Sequence, residues 1–228
     1  MTGQLSLEQI EALKAIDTPT ICNAIEKFGV RGRVNGFLGM DIRCLSPELG
    51  TMVGYAITVT VDSTTPDASQ SREVWYAWLK AMAASPKPGV LVLKDVGPEP
   101  RKSAHLGEVM GTIAKRLGVV GVVSDGGLRD ILELKRLGLH CFAPGLVPSH
   151  GNPRLIEVNV AVEIDGVRIE PGELLHGDIN GVTTVPLLIA DKVAEATARV
   201  REEEAQLLAY INGPDFTVEG LFQRTITR

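Results

Sequence analysis

The sequence predicts an α/β fold in which a core of parallel βαβ units is joined by antiparallel β hairpins. Three strand-like segments are apolar throughout and alternate with one-faced helices, which is typical of parallel strands covered on both faces. These segments lie at 89–95, 119–124 and 139–145. Residues 156–186 instead alternate apolar and polar side chains around the turn pair Asp165-Gly166, which is typical of antiparallel hairpins.

Local start and stop signals place the remaining elements. The amphipathic opening segment predicts a first helix. Thr18-Pro19 and the later Gly29 predict the start and the end of a second one. Branched residues at 51–61 predict a strand. The other predicted helices cover 72–84, 104–118, 128–138 and about 190–210. The segment 104–118 has one apolar stripe at helical spacing, and the last helix is highly charged on one face.

The bulk composition limits the classes of protein to which the chain could belong. A chain of 228 residues that is 44% hydrophobic is long and apolar enough to form one core, so we predict a single domain over 1–228. Within it we predict an N-terminal helical extension at 1–17 and a C-terminal helix and tail at 190–228. The net charge of −5 and the lack of a Lys/Arg-rich run argue against nucleic acid as a partner. No apolar stretch approaches the length of about 18 residues that a membrane span needs. Three well-separated cysteines, and an opening without a signal-peptide pattern, predict a cytoplasmic protein with no cysteine zinc site.

Polar residues follow the predicted parallel strands, at the sheet edge where such folds bind ligands. Asp95 ends one strand, and Asp125, Arg129 and Asp130 follow the next. A guanidinium holds a carboxylate through two parallel hydrogen bonds, and a lone carboxylate suits a divalent metal that keeps several waters, as Mg²⁺ does. Asp130 shares its predicted helix face with two leucines, so we expect it to be partly sheltered.

The start of the predicted 104–118 helix lies at the same edge. Its first turn has unpaired N–H groups and partial positive charge, which suit a carboxylate or a phosphate. Gly107 would let an anion approach closely, and Glu108 lies opposite the apolar stripe that contains Leu106 and Val109. A 2-oxo acid fits this set, because a metal chelates its carboxylate and keto oxygens and stabilises an enolate.

Each of these residues can also be explained by a role in the local structure, without any role in binding or catalysis. The helix dipole alone favours an aspartate in a first turn, so Arg129-Asp130 has the alternative of being an ordinary helix start. Glu108 is alternatively a solvated helix residue, and Asp95 a turn former. Three histidines fall in predicted polar loops, where a lone histidine is more often a surface hydrogen-bonding group than a catalyst. They are His105, His150 and His176.

Taken together, the segments resemble the RraA-like family, which includes the class II 4-hydroxy-4-methyl-2-oxoglutarate aldolases. The resemblance covers nearly the whole chain and rests on TPTICNAIEKFG, GTMVGYAITVTV, AHLGEVM, GVVGVVSDGGLRD, FAPGLVPSHG and PGELLHGDINGVTTVP. The specific combination is a Gly-Glu helix start, then Asp-Gly-x-x-Arg-Asp, then a Pro-Gly-Glu hairpin that ends in Asp-x-x-Gly-Val.

The resemblance implies a swivelling β/β/α-type fold that assembles as a trimer or a hexamer, with the active site near a subunit interface. It implies that Arg129 binds the pyruvyl carboxylate, that Asp130 ligates Mg²⁺ or Mn²⁺, and that Glu108 touches metal-bound waters. The residues that it places against the substrate, besides Arg129, are Gly107, Glu108, Val109 and Met110.

The activity that the resemblance implies is a metal-dependent lyase. Such an enzyme cleaves a 4-hydroxy-2-oxo acid through a pyruvate enolate and decarboxylates oxaloacetate through the same enolate. A glutamate from a neighbouring subunit is expected in the site, and Glu202, Glu203 and Glu204 are all candidates. Other members act as regulators that bind a ribonuclease or an RNA helicase without turnover. The length of the chain and its intact acid–Arg–Asp set favour the enzyme.

Overall fold

The computed structural model describes residues 4–225. Its helices are α1 (Leu7–Lys14), α2 (Thr18–Glu26), α3 (Arg72–Ala84), α4 (Glu108–Arg116), α5 (Ile131–Arg136), α6 (Ala190–Ile211) and α7 (Val218–Thr225). The first residues of the predicted N-terminal extension, 1–3, and the last residues of the predicted C-terminal tail, 226–228, lie outside the described part. Among the described residues, no helix is long and apolar enough to cross a membrane.

Within residues 4–225, twelve strands form one large mixed sheet and two small ones. The strands are β1 (Arg43–Cys44), β2 (Met52–Asp62), β3 (Gly89–Asp95), β4 (Ala104–Leu106), β5 (Val119–Ser124), β6 (Gly127–Leu128), β7 (His140–Ala143), β8 (Arg154–Val158), β9 (Val162–Ile164), β10 (Val167–Ile169), β11 (Leu174–Asp178) and β12 (Gly181–Val185). The large sheet has the order β1-β7-β5-β3-β2-β11-β12, with β8 also paired to β2. The strands β2, β3, β5 and β7 are parallel neighbours, and the pairs of β11 with β2 and with β12 are antiparallel.

The parallel core explains why its strands are apolar throughout. Successive side chains of a strand point to opposite faces, so a strand covered on both faces needs apolar residues at every position. In β3, Leu91 and Leu93 pack in a cluster with residues of α3, α4 and α5. Val90 and Val92 point the other way, into a cluster with residues of β9 and β10. Both faces of the sheet are therefore core.

A third cluster fixes the remaining helices. Ile10 and Leu13 of α1, Ile21 of α2 and Val193 of α6 pack with residues of β2 and β11. The helix α2 begins at the predicted position because the Asp17 carboxylate accepts a hydrogen bond from the Thr20 N–H at 2.9 Å. These helices hold one end of β2, while β8 and α3 lie towards its other end.

The predicted α/β fold, with its parallel core and antiparallel hairpins, is confirmed. The bounds of α3, β3 and β5 match the predicted segments, and the Asp165-Gly166 turn joins β9 to β10. The assignment of the whole chain to one domain stays a prediction.

The predicted helices at 104–118 and 128–138 are wrong at their starts. Residues 104–106 form β4 and residues 127–128 form β6, and the two strands pair in parallel. The helices begin only after these strands, at Glu108 and at Ile131. Helical spacing of apolar residues did not reveal this, because β4 and β6 are stabilised by pairing between distant segments.

Candidate functional site

The small sheet of β4 and β6 brings two distant segments together. Ala104 pairs with Gly127 and Leu106 with Leu128, and the Arg129 N–H donates to the Leu106 carbonyl at 3.0 Å. Each strand therefore ends beside the other. As a result, Gly107-Glu108 lies against Arg129-Asp130, as their shared position at the carboxyl edge of the sheet suggested.

The contacts between these segments are direct. The Glu108 N–H donates to Oδ2 of Asp130 at 3.0 Å, and Nε of Arg129 lies 3.7 Å from the same oxygen. The side chains of Arg129 and Asp130 are 36% and 39% exposed, so both are partly sheltered yet open to a ligand. Oδ1 of Asp130 accepts no hydrogen bond from residues 4–225.

Gly107 has a steric role at this position. A Cβ atom at residue 107 would lie 2.6 Å from Oδ2 of Asp130 and 2.9 Å from Nε of Arg129. Any larger residue would therefore displace the carboxylate or the guanidinium. Gly107 also serves as the N-cap of α4 without a capping side chain. The N–H groups of the first turn have no intrahelical acceptors, which leaves Val109 and Met110 with N–H groups for a ligand.

Asp130 does not occupy a first helical turn. Its backbone is left-handed, with φ 53° and ψ 43°, and its side chain makes no capping hydrogen bond to α5. This conformation is uncommon for a residue with a side chain, and such residues concentrate at functional sites. Asp130 nevertheless lies at a helix start, because it directly precedes α5 and its carbonyl accepts the Leu134 N–H at 2.9 Å. Its left-handed backbone takes it out of the helix, so the helix face that Asp130 was predicted to share with two leucines is wrong.

The other predicted site residues lie in the first turn of α4. Glu108 is exposed, as predicted. Val109 is 73% exposed, so it does not belong to the buried stripe. Met110 packs against the core with Ile113. The predicted apolar stripe of the 104–118 helix is therefore wrong at Val109. The helix α4 starts only at Glu108, two residues after Leu106, so Leu106 and Val109 do not share a helix face.

Burial corrects two of the predictions for polar residues. His105 lies on β4 with a side chain 1% exposed, and His176 lies fully buried on β11, so neither is a loop residue. His150 lies in an exposed segment, as predicted. Asp95 is the buried last residue of β3 and accepts the Gly97 N–H at 2.6 Å, which agrees with its interpretation as a turn former. It also accepts hydrogen bonds from His105 and Ser63. Burial acts to raise the pKa of Asp95, but the hydrogen bonds from His105, Ser63 and Gly97 outweigh it and hold that pKa below its ordinary value.

Sequence reasoning missed this buried network, although one signal pointed to it. Ser63, Asp95 and Ser124 are polar residues at the ends of three apolar strands. Asp125, in contrast, contacts residues of β3. It pairs with Lys94 at 2.7 Å and accepts the Asp95 N–H at 2.8 Å.

The donor set at Asp130 suits a weakly coordinated hard cation. Residues 4–225 contain no cluster of three or more His, Cys, Asp or Glu side chains able to hold a metal. Asp130 nevertheless offers an unengaged, partly exposed carboxylate oxygen with exposed Glu108 beside it. Mg²⁺ accepts one or two carboxylates and fills its other positions with water and substrate oxygens. The residues present therefore fit Mg²⁺ or Mn²⁺.

Two curated proteins are similar in sequence over most of the chain. A protein of Halalkalibacterium halodurans named "Putative 4-hydroxy-4-methyl-2-oxoglutarate aldolase" is 32% identical over 81% of this chain and 79% of its own. An uncharacterized protein of Methanocaldococcus jannaschii is 31% identical over 86% of this chain and 85% of its own.

Solved structures show the same fold at lower identity. An uncharacterized protein from Pseudomonas syringae pv. tomato has a TM-score of 0.74 at 23% identity, covering 100% of this chain and 97% of its own. Streptomyces coelicolor RraAS2, described as an unusual member of the RNase ES inhibitor RraA protein family, has a TM-score of 0.69 at 22% identity, covering 90% of this chain and 97% of its own. The sequence profile described as RraA-like: Aldolase/RraA matches residues 18–184. The chain belongs to the RraA-like family.

Proposed function

We propose that this protein is a divalent-metal-dependent carbon–carbon lyase that cleaves a small 4-hydroxy-2-oxo acid. The observation that carries the proposal is the contact of Gly107-Glu108 with Arg129-Asp130 at the carboxyl edge of the parallel sheet. It places a guanidinium, an available carboxylate oxygen and the N-terminus of α4 around one surface. The similarity to proteins named as aldolases supports the same reaction class.

Asp130 would hold the metal, and Glu108 would contact the water molecules around it. When bound, Mg²⁺ or Mn²⁺ supplies Lewis acidity at the carboxylate and keto oxygens of the substrate.

Arg129 binds and orients the substrate carboxylate. Its guanidinium is partly exposed and beside Asp130, and it can donate two parallel hydrogen bonds to a carboxylate. The first-turn N–H groups of α4 add partial positive charge on the adjoining side. These groups turn the 2-oxo acid half of the substrate towards Asp130.

A water molecule that the exposed carboxylate of Glu108 orients accepts the proton. The 4-hydroxyl group loses its proton and becomes the carbonyl of the leaving half. The bond between C3 and C4 breaks, and its electron pair passes to the 2-oxo acid half as the pyruvate enolate, which a proton then converts to pyruvate. Loss of CO₂ from oxaloacetate leaves the same enolate, so we also propose oxaloacetate decarboxylation.

The site is proposed to lie near an interface in a homotrimer or a homohexamer. Four apolar side chains around this sheet edge are more than half exposed, and they are Val96, Val109, Leu132 and Leu146. A second copy of the chain would cover them and exclude water from the substrate. The three cysteines are free, which agrees with a proposed cytoplasmic location.

A non-catalytic regulator is the alternative function. The similarity in fold to Streptomyces coelicolor RraAS2 is the observation that favours it. In this case the acidic surface of the chain, with its net charge of −5, would bind a basic patch of a ribonuclease or an RNA helicase. A pull-down with a purified ribonuclease, alongside the assay below, distinguishes the two functions.

The test is a screen for pyruvate release from several 4-hydroxy-2-oxo acids and from oxaloacetate, with Mg²⁺ or Mn²⁺ and again with EDTA. We expect turnover of at least one substrate that EDTA abolishes and that added metal restores. The Asp130→Ala protein should lack it, while Asp191→Ala, at an exposed first turn elsewhere, should retain it. Normal turnover by Asp130→Ala would overturn the assignment of the site. A ribonuclease complex without turnover of any substrate would favour the regulator.

A further inference from the structure

A histidine with an almost completely buried side chain, His105, connects the candidate site to the ends of three parallel strands. Nε2 of His105 lies 2.7 Å from Oδ2 of Asp95, and Nδ1 lies 2.8 Å from Oγ of Ser124. Ser63, which directly follows β2, donates a hydrogen bond to the same Asp95 oxygen. Asp95 ends β3 and Ser124 ends β5, so the imidazole lies across the carboxyl ends of β2, β3 and β5.

Both ring nitrogens of His105 have polar partners within the protein. The Asp95 carboxylate can only accept, so Nε2 donates to it. Nε2 also lies 3.4 Å from Oγ of Ser63. Oγ of Ser124, the partner of Nδ1, in turn accepts the Gly126 N–H at 3.2 Å, so the contacts form a continuous chain from Ser63 to Gly126.

The ring is also confined by its neighbours. A Cβ atom at Gly126 would lie 2.2 Å from Cε1 of His105, so the imidazole packs directly on that backbone. The side chains of His105 and Asp95 are 1% and 0% exposed. A ring enclosed in this way cannot contact a substrate, but it can fix the position of the backbone that carries it.

That backbone leads to the candidate site. His105 is the middle residue of β4, and the strand is followed directly by Gly107 and Glu108. The partner strand β6 is followed directly by Arg129 and Asp130. The two strands have only three and two residues. Backbone hydrogen bonds tie them to the segment after β7, from the Ala104 N–H to the Ser149 carbonyl at 2.8 Å and from the Leu128 N–H to the Gly145 carbonyl at 3.1 Å. His105 adds a side-chain link from β4 to the ends of β3 and β5.

We infer that His105 is a positioning residue for the proposed lyase site, acting through β4 on Gly107 and Glu108. Its hydrogen bonds to Asp95 and Ser124 fix the small sheet on the edge of the large one. They thereby maintain the hydrogen bond from the Glu108 N–H to Asp130. The kinetic part of this inference rests on the proposed function, whereas its structural part does not.

The chain offers a matched control in His176. This residue is also fully buried on a strand, and its two ring nitrogens lie 3.0 Å from Oγ1 of Thr18 and 3.1 Å from the Leu13 carbonyl. Its contacts lie among α1, α2 and β11, away from β4 and β6. His176→Leu therefore removes a comparable buried imidazole without touching the site.

The experiment compares His105→Leu, His105→Gln, Ser124→Ala and His176→Leu by hydrogen exchange and by steady-state kinetics of pyruvate release. We expect His105→Leu to accelerate exchange in segments 104–112 and 126–131 while β9 and β10 stay protected. We expect kcat to fall about 10- to 100-fold with a smaller change in KM, since misplacement of reacting groups by about 1 Å has an effect of that size. His105→Gln keeps a donor for Asp95 and should recover part of both losses.

Different results separate the two proposals. If His105→Leu does not fold, Ser124→Ala keeps the ring and tests the same anchorage. Exchange changes spread evenly over the protein, or a kcat as high as that of His176→Leu, would overturn the positioning role. If the wild-type protein turns over no 2-oxo acid, the proposed function fails. Localised exchange at 104–112 and 126–131 would then still support the structural role of His105.

Discussion

The backbone N–H of Glu108 donates a hydrogen bond to Oδ2 of Asp130 at 3.0 Å, although the two residues lie 22 positions apart. The bond joins the first turn of α4 to the left-handed residue that precedes α5. It occupies one carboxylate oxygen of Asp130 and leaves the other available. It also directs the positive end of α4 towards that carboxylate, which compensates part of its charge before any ligand binds. The relationship makes the position of Asp130 depend on the backbone at Gly107.

Replacement of Arg129 by lysine should weaken substrate binding more than it affects the chemical step. Lysine keeps the charge but cannot donate two parallel hydrogen bonds to a carboxylate. Loss of one charge-assisted hydrogen bond, about 1.5 kcal/mol, corresponds to an increase in KM of about tenfold. Steady-state kinetics of Arg129→Lys would measure this. Arg136→Lys, at an exposed ion pair with Glu133, serves as the control. An unchanged KM would show that Arg129 does not bind the substrate.

Replacement of Gly107 by alanine should impair the site without unfolding the protein. The new Cβ would lie 2.6 Å from Oδ2 of Asp130, so the carboxylate would have to move. We expect the metal concentration needed for half-maximal activity to rise at least about tenfold, the range seen when metal-site geometry is disturbed. Gly145→Ala is the matched control, because a Cβ there meets nothing within 4 Å. Equal metal dependence of the two proteins would contradict the steric role of Gly107.

The three candidate glutamates for a neighbouring site differ in their contacts. Glu203 pairs with Lys27 at 2.8 Å, and Glu204 accepts a hydrogen bond from Asn23 at 3.2 Å. Glu202 contacts Gln206 at 3.4 Å, within its own helix. We therefore expect Glu202→Gln to lower turnover in the proposed oligomer, whereas Glu203→Gln should retain it.

Size-exclusion chromatography with light scattering would confirm that these variants keep the same oligomeric state. Full activity of Glu202→Gln together with a loss in Glu204→Gln would move the assignment to Glu204.

His140 should make stability depend on pH. It is buried on β7, and burial, with Lys14 and Lys115 nearby, lowers its pKa to about 4 from the ordinary 6.5. A histidine that resists protonation when folded contributes its full stability above pH 6.5. That contribution falls as pH decreases, because the unfolded chain binds the proton first, and it levels off below about pH 4. The slope is about 1.4 kcal/mol per pH unit at most.

Urea unfolding of the wild type and of His140→Leu between pH 7.5 and 4 would measure this effect. The stability difference between the two proteins should shift in favour of His140→Leu as the pH falls. The exposed His150→Leu protein should follow the wild type throughout. A pH-independent difference for His140→Leu would show that this residue does not titrate as described.

The large elements could be predicted because local sequence specifies them. The apolar runs at 89–95 and 119–124 are long enough to identify buried strands. Successive side chains in these runs point to opposite faces of the sheet, and both faces are buried. Chain order then implied that the polar residues after these strands meet at one edge. Asp130, Arg129, Glu108 and Gly107 could therefore be placed together from the sequence.

The details of the site depend on contacts between distant residues. The strands β4 and β6 are too short to leave a pattern, and they exist because each pairs with the other. His105 is buried because Asp95 and Ser124 satisfy both of its ring nitrogens, and a single sequence does not reveal such pairing. For the same reason, local sequence placed Asp130 inside a helix.

The sequence by itself determined the α/β architecture and the residues at the candidate functional edge, because hydrophobic periodicity and strand order are encoded locally. Only the tertiary structure decided the left-handed backbone of Asp130, its bond to the Glu108 N–H and the burial of His105. Each of these results from hydrogen bonds that close between segments separated in the chain, where the gain from pairing outweighs local conformational preference.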